Sequence, residues 1–222
     1  MQDLTLSLDD PRALAIVAIT AFVAGAVRGF SGFGGPAILM LVLTQFYSPA
    51  TVIAKVLVMD MVACVKLQRE ALKQVHWRPT IALSIATLAG FPLGLAALYD
   101  VEPDMARRGV AALVALSTVA MFSGWRFKRD PPLVIWIAFG ALAGAIIGLT
   151  GVAMLGMVFL FSMPEKAIIS RANALTWLFI VTPPILVAHA IGGTLDWDAL
   201  WRSVVMSVFY VGGAVIGVRA FR

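Results

Sequence analysis

The chain has 222 residues, of which 61% are hydrophobic and 13% charged, and it carries 17 Lys and Arg against 12 Asp and Glu for a net charge of +5. Charged residues at about half the usual ~25% leave too little polar sequence to clothe a water-soluble fold, so a cytosolic enzyme and a disordered chain are both excluded. The single cysteine, Cys64, excludes a disulfide scaffold. What remains is an integral membrane protein, all-α in class.

The amino terminus has no cationic region ahead of its first apolar run and no small-residue cleavage site, so no removable signal peptide is expected, and Asp9, Asp10 and Pro11 mark a helix start. The apolar stretch 13–46 follows, too long for one straight span, and it is interrupted by Arg28-Gly-Phe-Ser-Gly-Phe-Gly-Gly-Pro36. Spans are expected at 50–66, 79–99 and 105–124. A second over-long stretch, 133–162, is interrupted at Gly148-Leu-Thr-Gly-Val152, and two further spans are expected at 166–190 and 199–219. Broken helices at membrane depth are tolerated only where the freed backbone faces protein or a water-filled cavity, so both breaks mark places of function.

The order of these segments repeats. Gly25, Gly29 and Gly32 are matched at one constant spacing by Gly144, Gly148 and Gly151. At nearly the same spacing Trp77 is matched by Trp197, and Gly90 and Gly94 by Gly213 and Gly217. This gives a first repeat over 1–124, a connection at 125–132 and a second repeat over 133–222, which lacks a counterpart to 105–124. Loop charge suggests how the halves are related. Lys66, Arg69, Lys73 and Arg78 in 66–78, and Arg126, Lys128 and Arg129 in the connection, place both loops in the cytoplasm; Asp196 and Asp198 place 190–198 outside. Equivalent loops on opposite sides make an inverted repeat if the broken segments turn back at their glycines; one kinked crossing each would make it parallel. The basic residues are thus a topological signal, with no nucleic-acid partner implied. Trp77, Tyr99, Trp125, Trp136, Trp197 and Trp201 fall near segment ends, as interfacial anchors do, whereas Trp177 and Tyr210 fall mid-segment.

The first break is the leading candidate site. Gly32, Gly34 and Gly35 let the backbone turn its N–H groups toward a bound group, and a half-helix beginning at Gly35-Pro36 aims its positive end at the same place. Arg28 adds a fixed charge and Ser31 a hydroxyl, which together suit a small anion. The competing reading is close helix packing, which Gly140, Gly144 and Gly148 fit well. Thr150 and Gly151 stand at the equivalent place in the second half, which has Ala153 and Met154 where the first has Gly34 and Gly35. Lys55 and Arg171 occupy nearly equivalent repeat positions, Arg171 with Asn173 beside it; they attract the anion or snorkel to an interface. Asp60 lies deeper, where a carboxylate costs about 2.5–3.5 kcal/mol on insertion scales. It pairs with Lys55, Lys66 or Arg28, or carries a proton. His189 is a further candidate for a proton relay, against a structural hydrogen bond; His76 reads as a solvated loop residue. No metal, nucleotide or nucleophile motif is present, so no cofactor or metal site is expected.

The glycine series from Gly25 to Gly35 followed by a proline, with a tryptophan before each glycine-rich helix (Trp77 then Gly90 and Gly94, Trp197 then Gly213 and Gly217), resembles the TauE/SafE family of sulfite and organosulfonate exporters over nearly the whole chain. The resemblance implies a multi-pass permease of the bacterial cytoplasmic membrane that moves small sulfur-containing anions by alternating access, not an enzyme. Two other readings are weighed beside it. A membrane-embedded lipid phosphatase needs a clustered acid, base and nucleophile that the scattered Ser31, Asp60 and His189 do not offer. A non-transporting assembly or sensor subunit, in a homo-oligomer or with a partner chain, is suggested by the unmatched last helix.

Overall fold

The computed structural model describes residues 11–32, 34–45, 47, 49–193 and 197–221. They form nine helices and no strand: α1 (Pro11–Ser31), α2 (Gly35–Leu43), α3 (Pro49–Ala71), α4 (Trp77–Asp100), α5 (Pro103–Phe122), α6 (Leu133–Thr150), α7 (Met154–Phe161), α8 (Ala167–Ile191) and α9 (Trp197–Phe221). Among the described residues four helices are long and apolar enough to cross a membrane, with spans at Trp77–Leu98, Leu133–Thr150, Ala167–Ile191 and Ser203–Ala220. Large apolar side chains such as Ile19, Ile85, Leu93, Leu116, Val134 and Val208 are exposed on the outside of the helices, the reverse of a water-soluble surface. The expected start at Asp9 and Asp10, and Asp196, lie outside the described residues, as do the side chains of Ser31, Lys66, Arg69, Tyr99 and Asp198.

Both over-long stretches break at their glycines. α1 ends at Ser31; Gly32 and Gly34 take φ of 84° and 87°, and α2 begins at Gly35 with Pro36 in its first turn. That left-handed backbone is open to glycine at little cost, and the proline gives up an N–H that a first turn does not use. α6 ends in the same way at Gly151, with φ of 69°, before α7. α2 and α7 have nine and eight residues. At 1.5 Å per residue each extends about 13 Å, less than half of a hydrocarbon core of about 30 Å.

Two compact units organise the chain: residues 1–63 with 189–222, and residues 64–188. They cut across the sequence halves, so each unit holds helices from both. In the first, α1 packs along α9, with α2 folded against α1. Gly25 and Gly29 meet the backbone of Tyr210 and Ala214, and Gly213 and Gly217 meet that of Phe22 and Ala26. The contacts advance together along both chains, so the helices run parallel, each with a glycine every fourth residue so that the backbones touch. In the second unit α4 and α6 repeat this: Gly90 and Gly94 meet Ala141 and Ala145, while Gly144 and Gly148 meet Thr87 and Phe91. The glycines whose spacing reveals the repeat are therefore mostly those of the two crossings, as the packing reading holds for Gly144 and Gly148.

Adjacent glycines on α9 test this. Gly213 is pressed against the carbonyl of Phe22, whereas a side chain on Gly212 would meet nothing within 4 Å. Gly213→Ala is expected to destabilise the protein by about 3 kcal/mol through backbone displacement, and Gly212→Ala to be neutral or mildly stabilising. Thermal unfolding in detergent, followed by size-exclusion chromatography, would show equal effects only if the crossing were not formed.

The second unit is packed around Phe159 of α7, which stacks on Phe139 at 4.5 Å and meets the edge of Trp136 at 4.9 Å. Trp136 is buried there. Its expected place among the interfacial anchors is corrected: a ring spent on the core cannot sit among headgroups. Trp77, Trp125, Trp197 and Trp201 are exposed. Lys73, Arg78, Arg126, Lys128 and Arg129 are also exposed. Arg78 and Trp77 line one cleft with Asp130 and Pro131, so the α3–α4 and α5–α6 connections meet at a single end of this unit.

Candidate functional site

Arg28 lies in the last turn of α1, four residues before the break, and is wholly buried. A helix end exposes carbonyls and carries a partial negative charge, so a cation placed there is stabilised on both counts. The Gly32 amide closes the final turn on the Arg28 carbonyl at 2.8 Å, and the Arg28 guanidinium donates from Nη1 to the Gly32 carbonyl. The rest of the guanidinium faces Asp60 of α3. Nε stands 2.9 Å from Oδ1, and Nη2 donates to Oδ2 at 3.1 Å. Asp60 is itself 3% exposed and accepts a third contact, from the Tyr210 hydroxyl of α9 to Oδ1 at 2.9 Å. Of the partners that sequence allows Asp60, the structure selects Arg28. The pair is buried, with one guanidinium hydrogen bond to the carboxylate and a second nitrogen in ion-pair distance of it.

Gly35 fits against this cluster. A side chain there would run into the Tyr210 hydroxyl and stand 2.9 Å from Cβ of Arg28 and 2.8 Å from the Ala24 carbonyl. The two adjacent glycines thus have different duties: Gly34 supplies a backbone angle and Gly35 supplies space. Arg28, Gly32, Gly34, Gly35 and Asp60 are brought together in the first unit. Lys55 also belongs to it. It is half-buried, with Nζ 4.6 Å from the centre of the Tyr47 ring, a cation–π contact. The two line a small apolar cavity with Val17, Leu43, Met59 and Met206. His189 is buried near the end of α8 in the same unit.

Thr150, Gly151, Arg171 and Asn173 belong to the second unit. The Thr150 hydroxyl is directed at local backbone: it donates to the Ile146 carbonyl at 2.7 Å and accepts from the Val152 amide at 3.3 Å, finishing α6. Arg171 is half-buried. Asn173 is fully buried; its Oδ1 accepts from the His76 amide at 2.8 Å and its Nδ2 donates to Glu165 at 3.1 Å. Glu165 also meets Nδ1 of His76 at 2.5 Å, so His76, which reads in the sequence as a solvated loop residue, ties the α3–α4 loop to the α7–α8 loop while its ring stays half exposed. His76 and Glu165 border the cleft of about 480 Å³ that Trp77, Arg78, Asp130 and Trp136 complete.

Two residues left unexplained as mid-segment aromatics now have partners. Tyr210 holds Asp60, and Trp177, fully buried, donates from Nε1 to the Thr87 hydroxyl at 3.1 Å. The Trp177 ring fills the space beside Gly156 of α7. Nearby, Gln68 donates to Thr176 at 3.0 Å. The signal for both aromatics was present in the sequence, a large polar-tipped ring in the middle of an apolar run, where its tip needs a partner.

Two glycine-broken helices, and a buried arginine–carboxylate pair at one of them, are features that helical membrane transporters use. A family model described as sulfite exporter TauE/SafE matches residues 17–222, and the chain belongs to that family, a family of membrane transporters. No curated protein and no solved structure matches the chain.

Proposed function

We propose that the protein is a permease for a small oxyanion of the sulfite and sulfonate class, exporting it across the bacterial cytoplasmic membrane by alternating access. The family supports the substrate class, and the single observation that carries the reading is Arg28, buried at the break between α1 and α2. A permanent charge at such depth is expensive unless it is used, and a planar N–H fork suits an oxyanion's paired oxygens. The backbone at Gly32, Gly34 and Gly35, with Ser31, supplies neutral donors, and Lys55 of the same unit draws the anion in. Asp60 and His189 handle protons. The two four-helix series, α1–α4 and α6–α9, are read as inverted repeats. The His76–Glu165–Asn173 tie and the cleft around Arg78 lie at the cytoplasmic end in this reading.

The test is labelled flux in liposomes holding the purified protein, across sulfite, sulfate, sulfoacetate, taurine and a carboxylate. Saturable flux selective for sulfite or a sulfonate is the expected result. Absence of flux for every anion, from protein that remains monodisperse, would overturn the permease reading in favour of an assembly subunit.

A further inference from the structure

The counter-charge that Arg28 meets at 2.9 Å is Asp60, and that counter-charge resembles the cargo. A carboxylate and a transported oxyanion present the same feature to a guanidinium, two oxygens matched to its N–H fork. Asp60 stands against this face of Arg28, accepting from Nη2 and lying 2.9 Å from Nε, with Arg28 fully buried and Asp60 nearly so. An anion added to the intact pair would leave the site with an uncompensated negative charge in a low-dielectric interior, where like charges strongly disfavour one another. We propose that Asp60 and the transported anion take turns on Arg28, the anion entering as Asp60 takes up a proton, so that each anion travels with one proton.

This rests on the permease reading and specifies its coupling. In the empty form the site holds one guanidinium and one carboxylate. In the loaded form the proton sits on Asp60, the Arg28–Asp60 ion pair is broken, and Arg28 pairs with the anion. For a monoanion the buried charge sums to zero in both forms, which is what lets either sit at membrane depth. The ionisable groups seen against Asp60 among the described residues include Arg28 from α1 and Tyr210 from α9, and Gly35 of α2 lies beside both of them. Lys55, on the same helix as Asp60, stands over Tyr47 instead. The Tyr210 hydroxyl stays hydrogen-bonded to the Asp60 carboxyl whether that group is charged or neutral, and so positions it through the exchange. The direction of net movement then follows the combined anion and proton gradients.

Labelled sulfite flux and charge movement in liposomes test the exchange. In the wild type a pH gradient imposed with no anion gradient should drive sulfite accumulation. In Asp60→Asn, whose amide neither binds the proton nor neutralises Arg28, that accumulation should be lost, and the charge moved per sulfite should become more negative by one. Equal charge per sulfite in the two proteins overturns the exchange. So does wild-type flux that ignores the pH gradient, a measurement that decides the matter even where Asp60→Asn does not fold. Asp60→Glu, which keeps a carboxylate, should keep the accumulation. Wild-type protein that carries no anion overturns the permease reading itself, and the exchange with it.

Discussion

A chain carrying Arg28→Met together with Asp60→Leu is expected to insert and fold at least as well as the wild type and to transport nothing, with flux down by a hundredfold or more. The two charges meet out of contact with solvent at 2.9 and 3.1 Å. Buried pairs of this kind are often no more stable than apolar residues of similar volume, whereas removing one partner typically costs about 3–5 kcal/mol because the other charge is stranded. Arg28→Met alone and Asp60→Leu alone should therefore each give poorly folded protein, and combining them should restore yield and thermal stability. Restored folding with lost transport separates a working charge pair from a structural tie. Wild-type flux in the double variant would leave the pair with no part in transport.

The second large effect is expected at Gly35. Gly35→Ala should lower stability by about 2–3 kcal/mol and impair transport, because the added methyl collides with the Tyr210 hydroxyl and crowds Arg28 and the Ala24 carbonyl. Tyr210→Phe clears one of these three contacts. The double variant Gly35→Ala/Tyr210→Phe should consequently lose less than the two single variants added together, by a coupling of about 1 kcal/mol in a double-mutant cycle. Strict additivity in thermal unfolding would show that the glycine and the tyrosine do not share the space. Gly34→Ala should act differently. A side chain there meets only a Val27 methyl at 3.5 Å, so its cost of about 1–2 kcal/mol comes from the backbone angle and no change at Tyr210 should relieve it.

Much of the architecture was legible because the membrane imposes it. Apolar runs of fixed length become helices, and a run too long for one span, interrupted by glycines near Gly32 and Gly151, has little alternative to breaking there. The expected breaks and the helices α4, α6, α8 and α9 follow from these constraints alone. Which helix lies beside which did not follow, because glycine spacing marks a surface for close approach without naming the partner. The halves read from the repeat are accordingly different from the compact units, in which α1 pairs with α9 and α4 with α6. Partner choice at the site was hidden for the same reason. Asp60 had three cations within plausible reach in sequence, and only packing of α1 on α9 beside α3 brings Arg28 and Tyr210 to it. Trp136 shows the limit of reading by position: nearness to a segment end predicts an interfacial ring, and the space beside Phe159 took it inward. Tyr210, His76 and Glu165 fall outside the sequence-derived site because they act through contacts between distant elements.

The pairing of α1 with α9 also sets an order of assembly. Residues 64–188 form a continuous stretch that can close on itself as soon as it is made, but the other unit joins the beginning of the chain to residues 189–222. At the usual 5–20 residues per second, α1 waits roughly 10–40 s after its synthesis for the helix that covers its glycine face. Throughout that interval Arg28 lacks Tyr210 and, until α3 follows, Asp60 as well. A newborn chain must therefore shelter a bare cation and a smooth helix face in lipid or within the insertion machinery, so nascent protein is most exposed to quality control just before α9 is released.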